Sequence, residues 1–153
     1  MTRMNRAPMT VQAIAAAALC AAASMSLAES AMTGDVKPLA SVQFTADDDV
    51  KCLSDALETG DPETGPSTIL LKATPGCVVP WHYHTAVEQL IVIRGDVLTE
   101  MSGHPAGLLS AGGFAVMESK VPHQFVCQDK SECLIVVTFD RKYDIFWGKE
   151  VTH

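Results

Sequence analysis

Two histidines and a glutamate, His82, His84 and Glu88, lie within seven positions in the middle of the chain. Imidazole nitrogens and carboxylate oxygens are donors with which proteins bind divalent transition metals. Alternate side chains of a strand point to the same face, so we expect both imidazoles on one side of a strand. Glu88 opens the next apolar run and is expected to reach the same point. The alternative is that all three are solvated at a strand edge.

His123 is the candidate for a fourth ligand. It shares one face of a predicted strand with Val121 and Phe125, so its imidazole is expected to point into an apolar core. A single core histidine is more often a neutral group with a backbone partner, but three other donors favour ligation here. His104 follows Ser-Gly and precedes Pro, which predicts an exposed turn, and His153 ends the sequence given.

The segment from Gly76 to Gly95 resembles the first motif of the cupin superfamily. That motif runs glycine, five residues, His-x-His, three residues, glutamate, six residues, glycine, and the segment matches it at every position. The resemblance covers residues 67–140. It implies a small β-barrel of the double-stranded β-helix or jelly-roll type, with a metal bound inside the barrel by the two histidines and the glutamate.

The second cupin motif is matched only in part. Gly112 and His123 stand at the positions of its glycine and its metal-binding histidine. Glu118 stands where proline is usual, Lys120 where glycine is usual and Cys127 where asparagine is usual. The retained histidine keeps the prediction of a metal site, while the turn before it is expected to be built differently.

The remainder of the chain has the pattern of an all-β single domain. Short runs rich in β-branched and aromatic residues alternate with turn sequences, and such spacing indicates a sandwich or a barrel. A short helical turn is expected within residues 47–58, and residues 60–66 read as a loop. The predicted strands are Ser67–Ala73, Val78–His84, Glu88–Arg94, Val97–Met101, Phe114–Met117, His123–Cys127, Cys133–Phe139 and Tyr143–Trp147.

The first residues have the features of a secretory signal peptide. Arg3 and Arg6 precede the apolar run 11–23, and residues 26–28 supply the small residues of a cleavage site. A lipoprotein is the alternative because Cys20 ends the alanine run, although the residue before it is bulky. We therefore expect a periplasmic or secreted protein with three segments: a signal peptide (1–28), an N-terminal arm and loop (29–66), and a barrel with a C-terminal extension (67–153).

The charge of the mature chain limits its partners. Cleavage leaves nine of the eleven Lys and Arg residues against eighteen Asp and Glu, a net charge of about −9. An acidic surface of this kind repels nucleic acid and anionic lipid, so neither is predicted as a partner. The run of three aspartates at residues 47–49 is expected to be a solvated loop, with a weak calcium site as the alternative.

Four cysteines remain after cleavage, an even number that predicts disulfides in an oxidising compartment. Cys127 and Cys133 flank a polar five-residue loop, which favours a bridge closing that hairpin. Cys52 would then pair with Cys77 by elimination. Four reduced buried thiols are one alternative, and a Cys127 thiolate as a metal ligand is another.

Three histidines and one carboxylate suit iron, manganese, nickel, copper or zinc rather than calcium or magnesium. An octahedral ion would keep two positions open for water, oxygen or substrate. We therefore expect a metal-dependent enzyme acting on a small organic molecule, a dioxygenase first and, by the resemblance, an isomerase second. Glu88 is the candidate base. The candidate pocket walls are Trp81 or Tyr83, Phe114, Phe125 and Phe139, although packing in the barrel core is the more common role for any one of them.

A second class of function stays open at this point. The same four side chains would serve an exported module that binds a metal or a small ligand without catalysis, since one fold hosts many functions. The resemblance also implies a homodimer, but no residue identifies its interface.

Overall fold

A computed structural model describes residues 34–128 and 131–149 and shows two antiparallel sheets. A 3-10 helix, Leu39–Ser41, precedes the strands. Among the described residues, no helix has the length and apolarity to cross a membrane. The predicted signal peptide and His153 lie outside the described residues. The strands are β1 Thr45–Ala46, β2 Leu53–Gly60, β3 Ser67–Ala73, β4 Val78–Tyr83, β5 Glu88–Arg94, β6 Val97–Met101, β7 Gly107–Leu109, β8 Phe114–Met117, β9 His123–Cys127, β10 Cys133–Phe139 and β11 Phe146–Trp147.

The strand order is that of a jelly roll. One sheet has the order β1-β2-β3-β10-β5-β8 and the other has the order β11-β4-β9-β6-β7. Strands distant in sequence are neighbours in space, since β10 lies between β3 and β5. The predicted all-β fold class is therefore confirmed.

Six of the predicted strands have the bounds expected, and the first histidine strand ends one residue early, at Tyr83. No helix is assigned within residues 47–58, where a short helical turn was expected: the second half of that segment belongs to β2, and the first half ends in a turn in which the amide of Leu53 donates to the carbonyl oxygen of Val50. The sequence Leu-Ser-Asp-Ala-Leu-Glu of β2 is rich in helix formers, but it pairs with β3 along its length. Tertiary pairing has overridden local propensity there.

The core lies between the two sheets. Side chains alternate along each strand, so every second residue of β5 and β10 points inward. Leu90, Val92 and Ile135 are completely buried, as is Val97 of the opposite sheet. Each such side chain contributes roughly 1.5–3 kcal/mol by leaving water. This apolar packing forms the rigid wall on which the polar site is placed.

Both predicted disulfides are confirmed. Cys52 and Cys77 have their Cα atoms 5.5 Å apart, and Cys127 and Cys133 have theirs 5.8 Å apart. The first bridge ties the residue before β2 to the turn before β4, and thus one sheet to the other. The second closes the connection between β9 and β10. Because Cys127 is oxidised, it is not a metal ligand.

Candidate metal centre

The fold brings His82, His84, Glu88 and His123 together in its interior. One donor atom from each lies within 4.8 Å of the others, and all four residues are buried. His82 and His123 are Cα partners across the β4–β9 pair, whereas Glu88 begins β5 in the other sheet. The cluster therefore spans both sheets. As predicted, His82 and His84 face the same side, with their ring centres 4.9 Å apart.

Backbone carbonyl groups orient the three imidazoles. Nδ1 of His82 lies 2.6 Å from the oxygen of Pro80, and Nδ1 of His123 lies 2.9 Å from that of Val121. Nδ1 of His84 bonds to the carbonyl oxygen of Asp144. Since a carbonyl oxygen only accepts, each Nδ1 carries the hydrogen and donates it. In a neutral imidazole, Nε2 is therefore free of hydrogen and can bind a metal. In metal sites, the group bonded to one ring nitrogen commonly fixes the tautomer in this way.

The contacts of Glu88 test whether a metal fits. Its Oε2 lies 3.2 Å from Nε2 of His84 and 3.2 Å from Nε2 of His123. In a neutral imidazole with hydrogen on Nδ1, Nε2 is an acceptor, and a carboxylate is also an acceptor. Such a contact is favourable only when a cation is shared, either protons on the rings or one metal ion. Bonds of about 2.0–2.2 Å to one ion also fit these separations.

Charge and burial shift the pKa values of the cluster. Burial by itself would raise the pKa of Glu88, but hydrogen bonds from His123 and His84 outweigh it and hold the pKa well below its ordinary value. Burial, followed by repulsion from His123, lowers the pKa of His82 to about 4. For His84, burial is outweighed by the Glu88 carboxylate, which raises the pKa. The carboxylate is thus ionised at neutral pH.

Asp144 fixes the C-terminal segment against the site. Its carboxylate accepts hydrogen bonds from the amide of Thr85, at 2.7 Å, and from the Thr85 hydroxyl group. The carbonyl group of the same residue accepts from His84. Sequence reasoning missed this residue because nothing in the motif marks it, and it lies 59 positions from Thr85. The signal available in the sequence was Thr85, a side chain able to hydrogen-bond that directly follows the predicted ligand His84.

We expect Asp144→Ala to weaken metal binding by roughly 10- to 100-fold, the usual loss when an outer partner of a ligand is removed. The substitution frees Thr85 and loosens the carbonyl that orients His84. Asp144→Asn should lose less, because its amide oxygen still accepts from the Thr85 amide. Competition with a metal-binding dye would measure the affinities. Asp96→Ala is the matched control, since it also removes one carboxylate and one side-chain hydrogen bond, to Ser110. Equal affinities in Asp144→Ala and Asp96→Ala would contradict this role.

A cavity of about 170 Å³ opens onto the cluster. Phe125 and Phe139 line it, as predicted. Phe114 does not, because it is 53% exposed on the outer side of β8, so that expectation is wrong. Tyr143 and Trp147, from the C-terminal segment, also line the cavity. Burial, followed by the charge of Glu88, raises the pKa of Tyr143, which keeps its hydroxyl protonated.

The turn before His123 shows how the chain accommodates its departures from the second motif. Lys120 stands where that motif usually has glycine, and it has a φ of 61°, the left-handed region that glycine favours. Its amide donates to the carbonyl oxygen of His84 at 2.7 Å. The turn thus keeps a conformation suited to glycine while it carries a lysine.

Comparison with known protein families identifies the domain that carries the cluster. A family model described as the cupin domain matches residues 70–139. This part of the chain is a cupin domain. A search of curated proteins found no match. The cupin fold and the cluster are thus found together in one chain, and the predicted small cupin barrel is confirmed.

Several solved cupin-fold structures superpose on this chain. The polyketide cyclase RemF from Streptomyces resistomycificus does so with a TM-score of 0.67 at 13% identity, over 78% of this chain and 88% of the cyclase. A cupin-like protein from Thermotoga maritima superposes with a TM-score of 0.58 at 20% identity, over 78% of this chain and 92% of that protein. A recombinant oxalate oxidase gives 0.51 at 25% identity, over 54% of this chain and 46% of the oxidase. The first two likenesses concern the fold alone.

Proposed function

We propose that this cupin is a metal-dependent enzyme acting on a small organic molecule, with oxygen-dependent chemistry as the first candidate. The observation that carries the proposal is the contact of two imidazole nitrogens with one buried carboxylate oxygen, 3.2 Å each, which calls for a shared cation. The adjoining cavity supports catalysis because a small molecule could reach that cation. The oxalate oxidase likeness supports oxygen as a co-substrate.

Each residue of the site would have a defined part. His82, His84 and His123 would hold the ion through Nε2, and Glu88 would supply the single negative charge among the ligands. The bound ion, with open positions, would supply Lewis-acid or redox chemistry. The depressed pKa of Glu88 favours a ligand over the base that we expected from the sequence. Tyr143, held protonated in the cavity, would donate a hydrogen bond to a bound substrate.

We also propose that the protein works outside the cytoplasm. Two disulfides are compatible with an oxidising compartment. The signal peptide expected from residues 1–28 supports the same location. The N-terminal residue of protein purified from its own host would test this, with cleavage after Ala28 as the expected result. The homodimer stays a prediction, which sedimentation equilibrium would check.

Oxygen uptake by metal-loaded protein tests the enzymatic proposal. The chain is loaded in turn with iron, manganese, copper, nickel or zinc and offered a panel of phenols, diketones and amines. We expect one metal form to consume oxygen and yield product, and His82→Ala to do neither. Product without oxygen uptake would place the reaction among isomerisations or eliminations instead. Tight ligand binding with no product in any metal form would overturn catalysis in favour of a binding module.

A further inference from the structure

Three aspartates line the same cavity as the proposed ligands. Asp47 and Asp49 come from the loop between β1 and β2, and Asp55 comes from β2. None of the described lining residues is a lysine or an arginine. None of the three aspartates forms an ion pair with a described residue. Oδ1 of Asp47 accepts hydrogen bonds from the amides of Asp49 and Val50, at 2.8 and 2.6 Å, so the charge of this wall meets backbone groups of its own loop but no side-chain cation of the described residues.

Asp55 occupies a position that the barrel otherwise gives to apolar side chains. It is the Cα partner of Leu71, which pairs onward with Ile135, and Ile135 pairs with Val92. These three partners point into the core or the cavity. Burial, followed by repulsion from Asp47, raises the pKa of Asp55. A carboxylate placed inward among aliphatic side chains costs stability unless it meets a polar or charged partner.

Tyr143 links these carboxylates to the metal site. It lines the cavity together with Glu88, Asp47, Asp49 and Asp55, and its ring centre lies 5.3 Å from that of His84. The aspartates thus face the same space as the ligand cluster. A molecule that reaches the metal would therefore share the cavity with them.

A second observation, independent of the aspartates, points to a bound ion at the inner end of the cavity. His82 is only 4% exposed and lines the cavity. Its Nδ1 is bonded to Pro80, and its Nε2 makes no hydrogen bond to a described residue. The cavity holds four carboxylates, those of Glu88 and the three aspartates. A divalent ion would offset two of their four negative charges, so the metal-loaded cavity would stay negative. The rings of Phe139, Tyr143 and Trp147 also line the cavity, and aromatic rings can attract cations.

We propose that the substrate is a small molecule with a metal-binding oxygen group at one end and a positively charged group, such as an ammonium, at the other. The oxygen group would bind beside Glu88, and the cation would lie between the aromatic rings and Asp47, Asp49 and Asp55. Small dianions are disfavoured, because the wall repels them. The inference rests on the proposed metal site and adds the substrate class to it.

Hydroxamic acids with a common chelating head test the charge preference. The probes carry an ammonium, a methyl or a carboxylate at the end of tails of increasing length, and calorimetry measures their binding to metal-loaded protein. At one tail length we expect the ammonium probe to bind about tenfold or more tightly than the methyl probe, and the carboxylate probe to bind more weakly. The preference should shrink as ionic strength rises.

The matched variant is Asp47→Asn/Asp49→Asn/Asp55→Asn, which removes charge but keeps shape and acceptors. It should bind all three probes within about twofold of one another, with metal content unchanged. A wild-type protein that holds one metal per chain but binds the three probes equally would overturn this inference and leave the proposed function standing. A protein that binds no metal and no probe would overturn the proposed function itself. Preference for the carboxylate probe would reverse the substrate class.

Discussion

His123→Ala is expected to lose its bound metal almost completely. Its imidazole is one of four donors around a single point and lies directly across the strand pair from His82. Removing it also leaves Glu88 Oε2 without one of its two contacts. The loss of affinity should exceed the roughly 10- to 100-fold that follows removal of an outer partner, because a ligand itself is absent.

Metal content per chain, measured by mass spectrometry after gel filtration, checks this result. The control is His104→Ala, which removes an exposed imidazole from a turn and should keep about one metal per chain. Circular dichroism establishes that each variant is folded. Should His123→Ala fail to fold, His123→Gln retains volume and a polar tip while it removes the strong nitrogen donor. Full metal content in a folded His123 variant would refute its assignment as a ligand.

Gly95→Ala is expected to lower the free energy of unfolding by more than about 2 kcal/mol. Gly95 has a φ of 85°, where a residue with a Cβ is strained by about 1–2 kcal/mol. An added Cβ would also lie 2.8 Å from Sγ and 2.9 Å from Cα of Cys133. The bridge to Cys127 and the pairing of β10 restrain Cys133, so the clash cannot relax freely.

Two other glycines separate the cost of the left-handed backbone from the cost of the close contact with Cys133. Gly112→Ala meets the same left-handed geometry, with a φ of 86°, but its Cβ would have nothing within 4 Å. Gly107→Ala has open space as well, and its φ lies outside the left-handed region. Chemical denaturation should therefore rank the losses Gly95, then Gly112, then Gly107. An equal loss at Gly95 and Gly112 would show that the close approach to Cys133 costs nothing.

The sequence alone determined the members of the His82, His84, Glu88 and His123 cluster and most of the strands. His82 and His84 could be placed on one face because side chains alternate along a strand, whichever strands pair with it. The bounds of β5, β9 and β10 followed from apolar runs between turn residues, for the same local reason. The cupin spacing added the expectation that Glu88 and His123 meet them.

Only the tertiary structure decided which other residues face the site. Asp55 lies in a segment whose propensity favours a helix, and it points into the cavity because β2 pairs with β3 in one register. Asp144 and Tyr143 reach the site because the chain after β10 returns along β4. Local pattern fixes the face that a side chain takes, whereas the partner across a jelly roll depends on pairing between distant strands. The sequence could therefore predict the four residues that meet at the candidate site, but not the carboxylates that give the cavity its charge.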